Sequence, residues 1–328
     1  MRFYARMNHL KHIFFVLSLL LFMMSCDEEN QTQKEIVTIE VNLNIDRFDQ
    51  VFATSRPQDL SELKTAYPFM FSDRYPDSIW VNRMTDTLQQ QLSSEVTKTF
   101  GDFADVESEL EQLFQHLKYH FPETNAPRII TVTSEVDYRN KVIVTDTIAL
   151  IALDTYLGED HEFYGGIQKY LRQNFKKDQI IPDMAQEYAK KYTYQPKKKT
   201  LLEEMIYYGK LLYVKDKVIP FKQEAVRIGY TEKQLAWAKE NESEIWRYFV
   251  DRELLYSTDS KLPARFINPA PFSKFYLELD TESPGRLGQY IGWQIVRAYM
   301  DNTDSTLKRM LITDAETIFK DSKFKPRK

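Results

Sequence analysis

Arg128-Ile-Ile-Thr-Val-Thr133 and Lys141-Val-Ile-Val-Thr-Asp-Thr-Ile-Ala-Leu-Ile-Ala-Leu153 are the most strand-like stretches of this chain. Both are rich in β-branched and apolar residues, and the polar turn Asp137-Tyr-Arg-Asn140 separates them. That pattern predicts neighbouring strands of a small sheet. Upstream, Ile36-Val-Thr-Ile-Glu-Val-Asn-Leu-Asn-Ile45 alternates, which places Val37, Ile39, Val41, Leu43 and Ile45 on one face of an extended strand.

Everything else reads as helix or turn. Residues 46 to 53 turn helical, and Tyr67-Pro-Phe-Met-Phe71 is an apolar turn, because proline biases the residue before it away from helix. Helices are expected over about 77–92 and 103–121. After Gly165 and Gly166 the chain is overwhelmingly helical, with readable starts. Pro182 and Asp183 open one helix, Thr200 with Glu203 forms a capping box for the next, and Thr231 with Gln234 forms another. Ser283 and Pro284 open the last long helix, which runs to about Met300. Glycine, at 9 residues in 328, is too scarce for a turn-rich all-β fold. No Gly-, Pro- or Ser-rich linker and no repeat divides residues 36–328. The expected fold is therefore a single α+β domain, mostly helical, with a small sheet from residues 36–45 and 128–153.

The amino terminus carries a basic leader (Arg2, Arg6, Lys11), an apolar run from Ile13 to Met24, Ser25, and the chain's single cysteine, Cys26. The run is shorter than the roughly 20 residues that span a bilayer. It reads as a lipoprotein export signal over 1–25, with Cys26 as the acylated residue and a polar tether to residue 35. Without residues 1–26 the chain has 41 basic and 48 acidic side chains, a charge of −7. An acidic domain is a poor nucleic-acid binder. With Cys26 taken by lipid, no disulfide or thiolate metal site is left, and stability rests on packing.

Beyond the signal the only histidines are His116, His120 and His161. The first two are spaced as zinc-peptidase ligands on one helix face, but Leu117 stands where the catalytic glutamate would be. They read as flanking residues of the stripe Val106, Leu110, Leu113 and Leu117. Asp154, Glu159, Asp160, His161 and Glu162 match no calcium loop. Neither a nucleophile elbow nor a phosphate or dinucleotide loop occurs. No catalytic residue, metal or cofactor is expected. Glu203, Tyr207 and Lys210 share one helix face, beside Glu204. On the last long helix Gly285, Gly288 and Gly292 are a third of all glycines. Their cost in a helix implies close backbone approach, with Tyr290, Trp293 and Arg297 projecting. Glu203, Glu204, Tyr207, Tyr290, Trp293 and Arg297 are the candidate interaction or vestigial-pocket residues.

Five stretches, Ile45-Asp-Arg-Phe-Asp-Gln-Val-Phe52, Tyr67-Pro-Phe69, Ile151-Ala-Leu-Asp-Thr-Tyr-Leu-Gly158, Met205-Ile-Tyr-Tyr-Gly-Lys-Leu-Leu-Tyr213 and Pro284-Gly-Arg-Leu-Gly-Gln-Tyr-Ile-Gly-Trp-Gln-Ile-Val-Arg297, together resemble the GldB gliding-motility lipoprotein family. The resemblance implies a cell-envelope lipoprotein needed for gliding and the linked type IX secretion route, in a non-catalytic role among other envelope proteins. The acidic Asp27, Glu28 and Glu29 resemble a signal for transfer to the outer membrane. A remoter similarity is to predicted zinc peptidases with a His-Glu-x-x-His helix before a Pro-Gly-x-x-Gly helix. It implies a degenerate zincin-like fold in which Glu203 and Tyr207 stand at the two histidine places. Two other readings stay open: a hydrolase using Glu203 and Glu204, and a glycan- or peptide-binding lipoprotein that exploits 20 tyrosines and 4 tryptophans.

Overall fold

The computed structural model describes residues 31–194, 197–278 and 280–327. The export signal and Cys26 lie outside the described residues. Residues 31–37 are already helical (α1), so the expected polar tether gives way to ordered structure before residue 36. Strand β1 (Asn44–Asp46) leads into α2 (Phe48–Thr54), α3 (Leu60–Ala66), α4 (Asp77–Thr85), α5 (Thr87–Phe100) and α6 (Ala104–His120). Strands β2 (Arg128–Val132), β3 (Val142–Val144) and β4 (Ile148–Ala152) follow. The remainder is α7 (Lys169–Arg172), α8 (Ile180–Tyr192), α9 (Leu201–Val218), α10 (Glu224–Ile228), α11 (Glu232–Glu240), α12 (Glu242–Asp251), α13 (Leu262–Phe266), α14 (Leu287–Asn302), α15 (Leu307–Ile312) and α16 (Ala315–Ser322).

The sheet has the order β1-β2-β4-β3, with β1, β2 and β4 parallel and β3 antiparallel to β4. Residues 141–153 are a hairpin and not one long strand. The polar Thr145-Asp146-Thr147 segment reverses the chain, and the Thr145 hydroxyl both donates to the Ile148 carbonyl and accepts from its N–H, at 2.9 and 3.0 Å. Residues 36–45 also depart from the expected strand. Ile39, Val41 and Leu43 are half-buried between exposed neighbours, and half-buried Ile45 follows exposed Asn44, so the alternation holds as far as Ile45. Only the last three positions of the segment's run into Asp46 find a ladder partner in β2, however, and Val37 is exposed while Ile36 is buried.

Both faces of the sheet are covered, which explains why β2 and β4 are nearly continuous apolar runs. Ile129, Ala149 and Ile151 face the main core of α6, α8, α9 and α14. Ile130, Val132 and Ala152 face a second cluster, in which Phe48, Phe52, Leu60, Leu63, Phe71 and Met84 pack under α2–α4. The expected helix over 77–92 is two helices, because Asp86 leaves helical geometry and its carboxylate accepts from Gln89 N–H at 2.8 Å, starting α5 afresh. The capping box of Thr231 and Gln234 is complete. At α9 only half forms: Thr200 Oγ1 accepts from Glu203 N–H at 3.2 Å.

The body is organised on α9 against α14. Gly209 and Gly292 meet backbone to backbone: a Cβ on Gly209 would lie 2.3 Å from the Gly292 carbonyl oxygen, and one on Gly292 would lie 1.8 Å from the Met205 carbonyl oxygen. The close approach expected of these glycines is present. Gly285 precedes the helix, since α14 starts at Leu287 after Arg286, whose φ of 61° is left-handed.

Gly292→Ala is expected to lower stability by about 2 kcal/mol, overpacking outweighing the gain in helix propensity. Gly166→Ala, where a Cβ would meet nothing within 4 Å, is expected to be neutral. Urea unfolding midpoints of the two variants check this.

Candidate functional site

The shared face of Glu203, Tyr207 and Lys210 is present and lines a cavity of about 290 Å³ between the start of α9 and the turn joining α15 to α16. Lys198 and Glu316 pair on its rim at 2.6 Å. Lys210 is buried and donates to the Leu311 and Thr313 carbonyls at 3.0 and 2.6 Å. It thereby caps the carboxyl end of α15, where partial negative charge favours a cation. Burial still pulls its pKa down to about 8. Glu203 Oε2 is buried without a hydrogen-bond partner among the described residues. Glu204 is half-buried on its own, its pKa raised by desolvation and then by Glu203.

Tyr290 and Trp293 do not project outward. Both are fully buried, and Tyr207 nearly so, which corrects the expectation of an aromatic contact surface there. Tyr290 donates its hydroxyl to Glu242 at 2.7 Å. Trp293 Nε1 donates to Asp216 Oδ2 at 2.9 Å. Arg297 forms a bidentate pair with Asp216 at 2.8 and 2.9 Å, reaches Glu224 at 2.5 Å, and lies 3.7 Å over the Trp293 ring. Arg227 also donates to Asp216, at 2.5 Å. These residues clamp α14 to α9, α10 and α12, and their role is internal.

His116 and His120 share α6, as their spacing requires. His116 is buried, with ring nitrogens 2.8 Å from the Gln112 carbonyl and 3.3 Å from Gln33 Oε1. Burial, then the neighbouring His116, pushes His120 down to about 4. Among the described residues no three His, Cys, Asp or Glu side chains stand together as a metal-ion set. The acidic cluster after β4 is divided: Glu159 and Asp160 are exposed, whereas Asp154 is buried. The Asp154 carboxylate accepts from Ser134 N–H at 3.0 Å, from the Ser134 hydroxyl, and from Val136 N–H at 2.6 Å. That clasp holds Glu135 and Val136 at φ of 58° and 59°, a costly conformation for a β-branched residue.

The clasped loop forms one wall of a cleft of about 750 Å³, the feature that sequence reasoning missed. It opens beside the carboxyl ends of β2 and β4, the side of a parallel sheet on which ligands usually bind. Helices α4 and α5 supply the other wall through Ile79, Trp80, Arg83, Leu88 and Gln89. Arg83 ties the walls together, donating to the Thr133 carbonyl at 3.2 Å and lying 3.4 Å from Glu135. Tyr75, Ile79 and Leu88 are 54, 45 and 60% exposed, large apolar groups left uncovered on the rim. The capping signal Asp86 was readable, but nothing local told which partners α4 and α5 would face.

Fold and cleft define a compact α+β module in which three parallel strands present an apolar-rimmed cleft beside a tightly packed helical body. The chain belongs to the family of the gliding motility protein GldB, whose model matches residues 29–326. Membership implies involvement in gliding motility and association with the cell envelope as a lipoprotein. No match was found among curated proteins or among solved structures. No helix among the described residues is long and apolar enough to cross a membrane.

Two outcomes follow from the charged groups. Asp216→Asn leaves Arg227 and Arg297 short of their shared carboxylate and is expected to cost about 3 kcal/mol, seen as a lower melting temperature. The Lys210 amine, with a folded pKa near 8 against the ordinary 10.5, binds fewer protons folded than unfolded between those values. Wild-type stability relative to Lys210→Met is therefore expected to rise as pH climbs from about 8 to 10.5, which paired urea titrations across that range measure.

Proposed function

We propose that this protein is a lipid-anchored, non-catalytic component of the gliding machinery and of the type IX secretion route linked to it. It is held at the outer membrane through Cys26 and works by docking an apolar segment of another envelope protein in the cleft beside β2 and β4. The observation that carries this reading is the cleft's rim, where Tyr75, Ile79 and Leu88 stand exposed around Trp80. Contiguous exposed apolar groups mark interaction sites, and Tyr and Trp are favoured where an interface is half wet. Family membership supports the gliding context. The Glu203 and Tyr207 face supports a scaffolding role, because Lys210 on the same face is spent on capping α15.

A hydrolase that uses Glu203 and Glu204 is the second reading, favoured by the unpartnered Glu203 Oε2 beside an open cavity. Retention of gliding by Glu204→Gln counts against it.

The double variant Ile79→Asp, Leu88→Asp alters exposed positions and is expected to change stability by no more than about 1 kcal/mol in total. Gliding, secretion and co-isolation of envelope partners are expected to be lost at normal protein level, and Cys26→Ala is expected to leave the membrane fraction. A double variant that glides, secretes and retains its partners as the parent does would remove the docking reading.

A further inference from the structure

On a different face of α9 from Glu203, Tyr207 and Lys210, a second cavity of about 50 Å³ lies between α8, α9, the end of α10 and the residues before α14. A single water needs roughly 10–15 Å³ by this kind of measure, so the space accommodates a group of several heavy atoms. Its wall is polar and cationic. Lys215, 4% exposed, donates to Gln186 Oε1 at 3.0 Å and to the Arg227 carbonyl at 3.2 Å. Arg286 donates to the Gly229 carbonyl at 2.8 Å and lies 5.2 Å over the Tyr230 ring. Among the described residues neither cation has a carboxylate within 4 Å. The carboxylate on the wall, Asp183, already accepts from Lys141 and from the Tyr156 hydroxyl through Oδ2. Asn174, Gln186 and Gln289 add amide groups to the same wall.

Two cations, Lys215 and Arg286, thus line a small space whose one carboxylate, Asp183, is already paired with Lys141. Buried charges are ordinarily matched by opposite charge, since desolvation is otherwise uncompensated. The buried Lys222 keeps the rule, with both Glu109 and Asp178 at 2.6 and 2.5 Å, whereas the buried Lys210 meets two carbonyls but stands without a second cation on its cap. For Lys215, one amide oxygen and one carbonyl at the end of the five-residue α10 are weak substitutes for such a partner. We propose that the cavity is a binding site for a small oxyanion, a carboxylate or an inorganic phosphate, held between Lys215 and Arg286.

Binding has a proton signature. Burial holds the Lys215 pKa down to about 7, with Asp183 opposing and Arg286, Lys141 and Lys190 adding to the depression. At pH 8 the amine is mostly neutral, and an anion beside it draws a proton on. At pH 6 the proton is already there.

The test is calorimetric titration of the full-length, detergent-solubilised protein with inorganic phosphate and, separately, with acetate, at matched ionic strength. Each is run at pH 6 and pH 8 in two buffers of different ionisation enthalpy. Saturable binding is expected; for acetate, ionised throughout, uptake approaches about one proton at pH 8 and almost none at pH 6, and for phosphate, which itself titrates between these values, the uptake is read at pH 8, where it is already the dianion. Lys215→Met is expected to weaken binding about tenfold or more. Preference for phosphate identifies a tetrahedral ligand, and preference for acetate a planar carboxylate. Absence of saturable binding by either anion overturns the proposal, as does binding by wild type without proton uptake at pH 8, a readout that holds even if the variant fails to fold.

Discussion

The contact on which the rest of this structure depends is the crossing of α9 and α14 at Gly209 and Gly292. Two side-chain-free positions let carbonyl groups of one helix lie against the backbone of the other. Each glycine carries a helix-propensity cost of about 1 kcal/mol, and the close approach offsets it by bringing the flanking surfaces into contact along the helices' length. Everything nearby is set by that separation. Asp216 on α9 reaches Trp293 and Arg297 on α14 because the axes are close, while Tyr290 on another side of α14 reaches Glu242 of α12. The only cysteine precedes the described residues, so packing of this kind is the means by which the body is held.

Much of this was legible before any coordinates. The β-branched runs announced the sheet, the threonines at 200 and 231 announced helix starts, and the glycines announced the tight crossing. What stayed hidden was direction. Helix α14 is buried at Leu287, Tyr290, Ile291, Trp293, Ile295 and Val296, positions that surround it on several sides. A helix apolar all round has no polar stripe to show which face meets solvent. Tyr290 and Trp293 therefore looked free to project and are instead enclosed. Strand pairing was hidden for a related reason. The alternation over residues 36–45 shows which side chains turn inward, but how many of them pair with β2 is decided by a partner more than eighty residues away. The cleft is the extreme case, assembled from α4, α5 and a loop held by Asp154, with no local signature beyond the Asp86 cap.

The polar groups inside the fold divide by the partners they meet. Arg227, Arg297 and Lys222 each touch a carboxylate and act as fasteners. Lys210 meets carbonyls alone, but it is a single cation at the end of one helix. Lys215 and Arg286 differ because they also meet only neutral groups, yet stand together in one cavity whose single carboxylate, Asp183, is already engaged by Lys141. Concentration of like charge, more than burial of any one amine, is what sets that place apart.

The amino-terminal segment bears on where the module sits. Gln115 on α6 donates to the Val37 and Ile39 carbonyls at 3.4 and 3.3 Å, His116 lies beside Gln33, and Ile36 is buried. These contacts tie the segment around Gln33 to Ile39 onto α6. With the lipid proposed at Cys26, five residue steps separate the anchor from the first described turn, a reach of about 18 Å even if fully extended. An anchor at Cys26, as proposed, would keep the α1 and α6 side of the body close to the bilayer. Under that proposal, a partner docking in the cleft lined by α4 and α5 would approach a module held near the membrane, not one that ranges across the envelope on a long arm.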